Sequence, residues 1–439
     1  MSKEAEAQAY LEEIGKNGSI LGLESIQGLM GELGNVHRKL KLIHVAGTNG
    51  KGSVCAMVSS ILQEAGFRVG MYTSPAVFER TEQYQVNGAY ISHKDFAEVI
   101  LKVKAACGRM RAKGKKQPTV FEVETAAAFV YFYQQHCQLV VLETGMGGET
   151  DATNVIDNPL VSVLTSISMD HMKFLGSSLE QIAAVKAGII KEGGLVVAAK
   201  PRQRRVQEIL ENTCAERHAS LTYAQTENAG NIRICKEGEN MGAFCFSYGA
   251  LGQVTLSMPG VYQVQNAVCA IEAIKMLQRA GYVIEDAQIK KGIAKARWEG
   301  RFSILCKEPL FIIDGAHNED AAEKLAETLK RGFTNYKIIY IIGVLADKEH
   351  EKMLKIMLPM ASQVLTITPD SPRAMDGRAL ALEAKKYHKN VAYCQELSDA
   401  VRAALDSAKQ EKSMILAFGS LSYLKELREA LKENQVYDR

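Results

Sequence analysis

The sequence lacks long apolar runs and carries no large excess of charge of one sign. Its longest apolar stretch, residues 338–346, is far shorter than the ~20 residues that a helix needs to cross a bilayer. Lys and Arg total 53 against 50 Asp and Glu, which argues against a dedicated nucleic-acid-binding protein. Residues 1–14 have the pattern of an acidic amphipathic helix without the apolar core of a signal peptide. We therefore expect a cytoplasmic protein with no membrane and no nucleic acid among its partners.

Closely spaced cysteines are also missing. The nine cysteines are an odd number and no two lie closer than ten positions, so no Cys-x-x-Cys pair exists. This spacing argues against a structural zinc site and against a disulfide framework. Apolar residues make up 47% and charged residues 23% of the 439 positions, which is typical of a soluble globular protein with two or three domains.

From residue 41 onwards, apolar runs of strand length alternate with amphipathic stretches of helix length. This alternation predicts an α/β fold with a mostly parallel sheet, in which ligands bind beyond the carboxyl ends of the strands. Strands are expected at residues 42–46, 69–73, 139–143 and 161–167. Short alternating strands at residues 221–225, 244–248 and 254–258 predict a small antiparallel annex.

The α/β pattern starts again after the tract 296–301. Further strands are expected at residues 311–314, 337–344, 363–368 and 414–419. The second cycle predicts two domains, which are an N-terminal domain of residues 1–298 and a smaller, Rossmann-like α/β domain of residues 299–439.

The strongest local motif is the run Gly-Thr-Asn-Gly-Lys-Gly-Ser at residues 47–53, between an apolar strand and a helical stretch. Its glycines let backbone N–H groups wrap phosphate oxygens, and Lys51 would reach the β- and γ-phosphates of a nucleotide. Ser53 would offer its hydroxyl to phosphate or Mg²⁺, although the standard motif has no residue such as Gly52 between the lysine and the hydroxyl. A Gly-rich turn without a ligand is the alternative. The run predicts a P-loop NTPase-like domain in which ATP contacts Asn49, Gly50, Lys51, Gly52 and Ser53.

Polar residues follow three of the predicted strands. Ser74, Glu143 and His171 lie just beyond strand ends, where ligands of a nucleotide-bound Mg²⁺ are expected. A lone histidine is more often a helix cap or a core residue. The position of His171 at a third strand end favours a ligand instead.

Lys186 is unusual for its place in the predicted helix 179–190. It lies four residues from both Ile182 and Ile190, and so it faces the apolar side of that helix. A buried, unpaired ammonium is costly, so we expect this lysine to be neutral, paired with a carboxylate or chemically modified. A lysine that snorkels along the helix edge is the alternative.

Together these motifs resemble the folylpolyglutamate synthase and dihydrofolate synthase family, a branch of the Mur ligase superfamily. The resemblance covers nearly the whole chain and includes the glycine between Lys51 and Ser53. Other similar segments are residues 73–75, 143–154, 168–171, 265–267, 298–301, 314–318, 343–348, 371–374 and 419–421.

The resemblance implies an ATP-dependent acid–amino-acid ligase. ATP would phosphorylate the carboxylate of a pterin-containing substrate, and the amine of L-glutamate would then displace the phosphate. Ser74 and Glu143 would hold one Mg²⁺ and His171 a second, which a carbamylated Lys186 would support. Lys51, His171 and Lys186 would be the catalytic residues.

The resemblance also implies residues for the other ligands. Asn266, Arg301 and Asp314 would contact the nucleotide, and closure of the two domains would complete the site. The pterin and substrate residues would be Phe121, Glu122, Thr150, Asp151, Ala152 and His317. For Phe121 and Glu122, the alternative is an ordinary first helical turn with the aromatic ring in the core.

The sequence departs at three places from what many relatives carry. Ala76-Val77 stand in place of His-Leu, Gln83 follows Glu82 in place of Arg, and Glu299 stands in place of Pro. The first two lie on a substrate-side loop and bear on which folate form is preferred.

We expect both folylpolyglutamate synthase and dihydrofolate synthase activity in a monomer. The small-molecule partners would be folate or dihydropteroate, L-glutamate and ATP, with two Mg²⁺ ions. The alternatives are folylpolyglutamate synthase activity alone, a cell-wall Mur ligase, a P-loop switch that uses ATP to change shape, and a nucleic-acid-dependent NTPase.

Overall fold

Strands and helices alternate along the chain in the computed structural model, which describes residues 2–16, 22–234, 243–409 and 412–434. The strands are β1 (Leu42–Ala46), β2 (Val69–Tyr72), β3 (Tyr84–Val86), β4 (Ala89–Tyr90), β5 (Leu139–Glu143), β6 (Val161–Leu164), β7 (Leu195–Ala199), β8 (Ser220–Ala224), β9 (Ala229–Ile234), β10 (Phe244–Tyr248), β11 (Gln253–Leu256), β12 (Ser303–Lys307), β13 (Leu310–Ile313), β14 (Lys337–Ile342), β15 (Ala361–Thr366), β16 (Val391–Tyr393) and β17 (Ser413–Phe418).

The helices begin at α1 (Lys3–Gly15) and continue as α2 (Glu24–Glu32), α3 (Lys51–Glu64), α4 (His93–Ala112), α5 (Val120–Gln134), α6 (Met172–Leu175), α7 (Leu179–Ala187), α8 (Arg204–Glu216), α9 (Tyr262–Arg279), α10 (Asp286–Lys295), α11 (Glu319–Gly332), α12 (His350–Met357), α13 (Gly377–Ala384), α14 (Leu397–Ala408) and α15 (Leu424–Glu433). Side chains fix several of their starts. The helix α7, for example, begins with a capping box between Ser178 and Gln181.

The larger sheet has eight strands in the order β4-β3-β2-β5-β1-β6-β7-β8. The six strands β2, β5, β1, β6, β7 and β8 are parallel to one another. The β3-β4 hairpin pairs with β2 and adds an antiparallel edge. Every residue of β1, β2 and β5 is buried, as expected for central strands of a parallel sheet that is covered on both faces. The carboxyl ends of these strands therefore meet at one edge of the sheet.

One predicted strand belongs to a different sheet. The segment 221–225 was expected in the antiparallel annex, but it forms β8 and pairs in parallel with β7 at the edge of the larger sheet. Most of its residues are only half-buried. A strand with one partly exposed face alternates polar and apolar residues as an antiparallel strand does, so its pattern does not show which sheet it joins. The separate small sheet has the order β11-β10-β9.

The C-terminal sheet has six strands in the order β12-β13-β17-β14-β15-β16. The pair β12-β13 is antiparallel, and the remaining pairs are parallel. The buried apolar cluster on this sheet includes Tyr340 and Phe418, whose rings meet edge to face. The predicted α/β class with a smaller Rossmann-like C-terminal domain is confirmed.

By contacts the chain divides into two compact units. The first comprises Met1–Gly230, Ser247–Val254 and Gln265–Ala296, and the second comprises Asn231–Phe246, Thr255–Val264 and Arg297–Arg439. A domain boundary at residue 298 stays a prediction. In the ranges that the structure describes, no helix has both the length and the apolar character that a membrane span requires.

Helix α10 approaches α3 so closely that only glycine fits at position 292. A Cβ atom there would overlap the backbone of Ile61, and Ser60 donates a hydrogen bond of 2.7 Å to the Gly292 carbonyl. We expect Gly292→Ala to lower the free energy of unfolding by about 1–3 kcal/mol, because backbone atoms must move apart. Urea unfolding measures this change.

The control is Gly108→Ala on α4, where a Cβ atom meets nothing within 4 Å. This substitution should stabilise the protein by up to about 1 kcal/mol, since alanine favours the helix more than glycine. Equal effects of the two substitutions would contradict the packing described for α10.

Candidate active site

The phosphate loop lies between β1 and α3. The helix α3 begins at Lys51, so the last residues of the motif, 51–53, form its first turn. Free N–H groups of a first turn attract anions such as phosphate. Gly50 has a φ of +91°, and a Cβ atom there would overlap the side-chain amide of Asn266. The structure therefore brings Asn266 against the loop, as expected of a nucleotide contact.

The segment that follows β6 holds this loop in place. The Thr165 hydroxyl donates to the Asn49 carbonyl at 2.8 Å, and the Thr48 amide donates to the Ser166 carbonyl at 2.7 Å. The Ser168 amide donates to the Thr48 hydroxyl at 3.0 Å. These hydrogen bonds hold the loop in one shape, which lowers the entropy cost of binding a ligand. The sequence analysis missed these contacts, although a run of hydroxyl residues at a strand end was visible.

Two lysine side chains donate to the same backbone oxygen. Lys186 Nζ lies 2.8 Å from the Gly47 carbonyl oxygen, and Lys51 Nζ lies 3.3 Å from it and 3.3 Å from that of Thr48. Lys186 is 3% exposed, so it faces inward as predicted and does not snorkel. Burial and then the charge of Lys51 lower the pKa of Lys186 to about 7. A large share of this amine is therefore neutral at physiological pH.

Ser74, just beyond β2, and Glu143, the last residue of the neighbouring strand β5, meet at the carboxyl ends of these two strands. The Ser74 amide donates to Glu143 Oε2 at 3.3 Å, and Glu143 is 5% exposed. Ser74 Oγ is buried and has no hydrogen-bond partner among the residues that the structure describes. An unsatisfied hydroxyl beside a buried carboxylate is a set of hard oxygen ligands, which fits Mg²⁺.

His171 follows β6 in the left-handed region, with a φ of +50°, and directly precedes α6. Its side chain is 38% exposed, and Nε2 lies 3.8 Å from Asp170 Oδ2. In the described part of the chain, no three His, Cys, Asp or Glu side chains come together as a metal cluster. A metal bound at His171 would thus have at most two ligands of these types and would need another kind of donor.

The loop between β5 and residue 154 packs on the end of α7. A Cβ atom at Gly148 would lie 2.8 Å from the Lys186 carbonyl, and the Glu149 amide donates to Val185 at 2.9 Å. Asp151 is buried and accepts from the Met146 amide at 2.8 Å and from Thr153, while burial raises its pKa. Ala152 is buried as well, and the Thr150 carbonyl accepts from a backbone amide. These predicted pterin residues therefore form one folded loop.

The first turn of α5 carries Phe121 and Glu122. Glu122 Oε2 accepts from the Thr119 amide at 2.7 Å and from the Thr119 hydroxyl at 2.9 Å, so this carboxylate caps the helix. The Phe121 ring is partly buried and lies against Gly145. Glu122 thus has the hydrogen bonds of an ordinary first helical turn. Phe121 lies beside the loop after β5.

The loop of residues 75–83 is held by the carboxylate of Glu82, a role that was not predicted from the sequence. Glu82 accepts from the backbone amides of Val77, of Phe78 at 3.0 Å and of Glu79 at 3.2 Å. Arg80 pairs with Glu124 on α5 at 2.8 Å, and burial raises the pKa of Glu124 to about 6. The spacing of Glu79 and Glu82 matches a capping box, and this signal could have revealed the contact.

The remaining predicted residues belong to the second compact unit. Asp314 follows β13 and is buried. A Cβ atom at Gly315 would overlap the guanidinium of Arg301, so the two residues lie in close contact. His317 Nδ1 lies 2.8 Å from the Gly315 carbonyl, and Asn318 caps α11. Arg301, Asp314 and His317 are thus neighbours in this unit, and their roles stay predictions.

Comparison with known proteins gives family matches over both parts of the chain. Residues 45–274 match the Mur ligase middle domain, and residues 300–421 match the Mur ligase glutamate ligase domain. The dihydrofolate synthase/folylpolyglutamate synthase of Bacillus subtilis is 36% identical over 94% of this chain and 95% of its own.

Solved structures superpose over almost the full length. Folylpolyglutamate synthase of Mycobacterium tuberculosis, complexed with ADP and AMPPCP, has a TM-score of 0.88 at 28% identity and 99% coverage of both chains. E. coli FolC, in complex with DHPP and ADP, has a TM-score of 0.85 at 29% identity and 99% coverage of both chains. The chain belongs to the dihydrofolate synthase/folylpolyglutamate synthase family of Mur ligases.

The close contact between Gly50 and Asn266 leads to a test of the phosphate loop. Gly50→Ala would push the Asn266 amide aside and strain the first turn of α3, so we expect MgATP affinity to fall at least about tenfold. Isothermal titration calorimetry measures the affinity.

Gly66→Ala is the matched control, because Gly66 also has a positive φ, of +86°, but a Cβ atom there meets nothing within 4 Å. It should cost stability through the same backbone strain and leave MgATP affinity unchanged. Unchanged affinity in Gly50→Ala would contradict the assignment of this loop to the phosphates.

Proposed function

We propose that this protein is an ATP-dependent ligase that joins L-glutamate to folates and to dihydropteroate through an acyl phosphate. The observation that carries the proposal is the phosphate loop, in which Lys51 and Lys186 both donate to the Gly47 carbonyl. The names of the relatives support the substrate class, since the B. subtilis enzyme is named for both activities. The E. coli structure holds DHPP together with ADP.

The reaction needs an activated carboxylate, because a carboxylate is a poor electrophile. Phosphoryl transfer from ATP makes its oxygen part of a leaving group, and ADP departs. The amine of glutamate then attacks the acyl carbon, the C–N bond forms, and phosphate leaves as the C–O bond breaks. Lys51 and the amides of the first turn of α3 would stabilise the charge on the transferred phosphoryl group, so positioning and electrostatics supply most of the catalysis.

The proposed metal sites use the polar groups at the strand ends. Ser74 and Glu143 would hold one Mg²⁺, and His171 would hold a second. Bound Mg²⁺ would neutralise phosphate charge. The free Ser74 hydroxyl beside the Glu143 carboxylate supports the first site, and the Ser74 amide orients that carboxylate.

A carbamate on Lys186 would complete the second site. The neutral amine would attack CO₂: the N–C bond forms, one C=O π bond of CO₂ breaks and one proton leaves to solvent, so that an uncharged buried amine becomes an anion. The burial of Lys186 and the nearby charge of Lys51 support this step, because both disfavour the ammonium form. A carbamate would also replace the repulsion between the two lysines with attraction.

We assign the remaining contacts by residue. Asn266, Arg301 and Asp314 would contact the nucleotide, and the Asn266 amide at Gly50 supports the first of these. The pterin would contact Phe121, Glu122, Thr150, Asp151 and Ala152, while His317 would face the substrates. We also propose that the protein is a cytoplasmic monomer.

The proposed reaction is tested by ADP release from MgATP and glutamate, in parallel with dihydropteroate, with a reduced monoglutamyl folate and with neither. We expect release with each pterin substrate and none without. Release with the folate alone would restrict the activity to polyglutamylation. Release that is independent of any pterin would contradict the ligase and favour an ATP-driven switch.

The proposed carbamate predicts a strong effect of Lys186→Gln. Glutamate ligation should fall roughly a hundredfold, since the side chain can no longer take up CO₂. The wild type should also lose activity in CO₂-depleted buffer and regain it with bicarbonate, whereas the variant should respond to neither.

Lys191→Gln is the matched control, because Lys191 is a half-buried lysine that likewise donates to a backbone carbonyl, that of Asn154 at 3.2 Å. Its activity should stay close to that of the wild type. Similar losses in both variants, or a wild type indifferent to CO₂, would contradict the carbamate.

A further inference from the structure

Three hydrogen-bond donors hold the carboxylate of Asp314, which is 3% exposed. The Tyr262 hydroxyl and the Phe302 amide donate to Oδ2, each at 2.8 Å. The Ala316 amide donates to Oδ1 at 2.8 Å. A carboxylate has about four acceptor positions, so these contacts leave one position free for a ligand.

Tyr262 is the one side-chain donor in this set, because the other two donors are backbone amides. Burial and the nearby Asp314 carboxylate raise the pKa of the Tyr262 hydroxyl well above its usual range. The hydroxyl therefore keeps its proton and donates at every physiological pH. It is the contact to Asp314 that a side-chain substitution can remove without changing the backbone.

The two backbone donors lie next to the residues that we assign to the substrates. Phe302 directly follows Arg301 and has a φ of +46°, which is uncommon for a bulky residue and needs support from its surroundings. Ala316 directly precedes His317, and its neighbour Gly315 contacts the Arg301 guanidinium. The Asp314 carboxylate thus holds two backbone segments, one next to Arg301 and one next to His317.

We propose that Tyr262 is a positioning residue for nucleotide binding, which orients Asp314 and, through it, the turn that carries Arg301. This inference rests on the proposed function, in which Arg301 and Asp314 contact ATP. It adds a residue that touches neither ATP nor the reacting atoms. Without the hydroxyl, Oδ2 loses one of two donors in a buried place, so the carboxylate can rotate and the Phe302 amide loses part of its support.

The test is Tyr262→Phe, with Tyr340→Phe as the matched control. Tyr340 is buried in β14, and its hydroxyl has no hydrogen-bond partner among the described residues. Both substitutions keep the ring and remove one hydroxyl. We expect the Kd for MgATP, measured by calorimetry, to rise about fivefold or more in Tyr262→Phe and to stay unchanged in Tyr340→Phe.

The pH dependence gives a readout that a loss of stability would not move. Burial raises the pKa of the Asp314 carboxyl, while the charge of Arg301 and the hydrogen bonds from Tyr262, Ala316 and Phe302 lower it. Removing the Tyr262 donor should therefore shift the acid side of the MgATP binding profile to higher pH in Tyr262→Phe. In an Asp314→Asn background, the same tyrosine substitution should cost no further affinity. The reason is that no buried anion remains there for the hydroxyl to hold.

The inference is overturned if Tyr262→Phe and Tyr340→Phe bind MgATP equally well with the same pH profile. It is also overturned if Tyr262→Phe weakens binding by the same factor in the Asp314→Asn background. A wild type that binds MgATP but ligates no glutamate would contradict the proposed function instead, so the two failures are distinguishable.

Discussion

The arrangement of the site in the N-terminal unit depends on the hydrogen bonds that the Gly47 carbonyl oxygen accepts. Lys51 reaches it from the first residue of α3, and Lys186 reaches it from the last turn of α7. One backbone oxygen thus joins the phosphate loop to the helix that carries the buried lysine. Two ammonium groups at one carbonyl repel each other, and the lowered pKa of Lys186 reflects both this repulsion and burial. An anionic ligand or a modified lysine relieves that repulsion.

The order of the strands explains why these groups share one edge of the sheet. Strand β1 lies between β5 and β6, so the segments after the three strands are neighbours. The loop after β1 is held by Thr165 after β6, while the loop after β5 packs on α7 beside Lys186. Ligands of such sheets generally bind beyond the carboxyl ends of the parallel strands. In this protein, lysine and carboxylate side chains, hydroxyl groups and glycines lie together at that edge.

Features that depend on the local residue pattern could be predicted from the sequence. Contacts between segments far apart in the chain could not. Strands β1 and β5 have their predicted bounds, and the burial of Lys186 follows from helical spacing, because both signals are periodic. The sheet to which β8 belongs was predicted wrongly, since a strand with one partly exposed face has the pattern of an antiparallel one. The donation from Tyr262 to Asp314 joins positions far apart in the chain, and no spacing rule predicts such a contact.

We propose that the site phosphorylates a carboxylate before glutamate is joined to it. Transfer of ¹⁸O tests this claim most directly, with a folate substrate whose reacting carboxylate is labelled and with mass analysis of the inorganic phosphate. We expect one ¹⁸O atom from the substrate in each phosphate released, because the acyl C–O bond breaks when the amine attacks. Phosphate without the label, formed at the same rate as the amide product, would contradict the acyl phosphate.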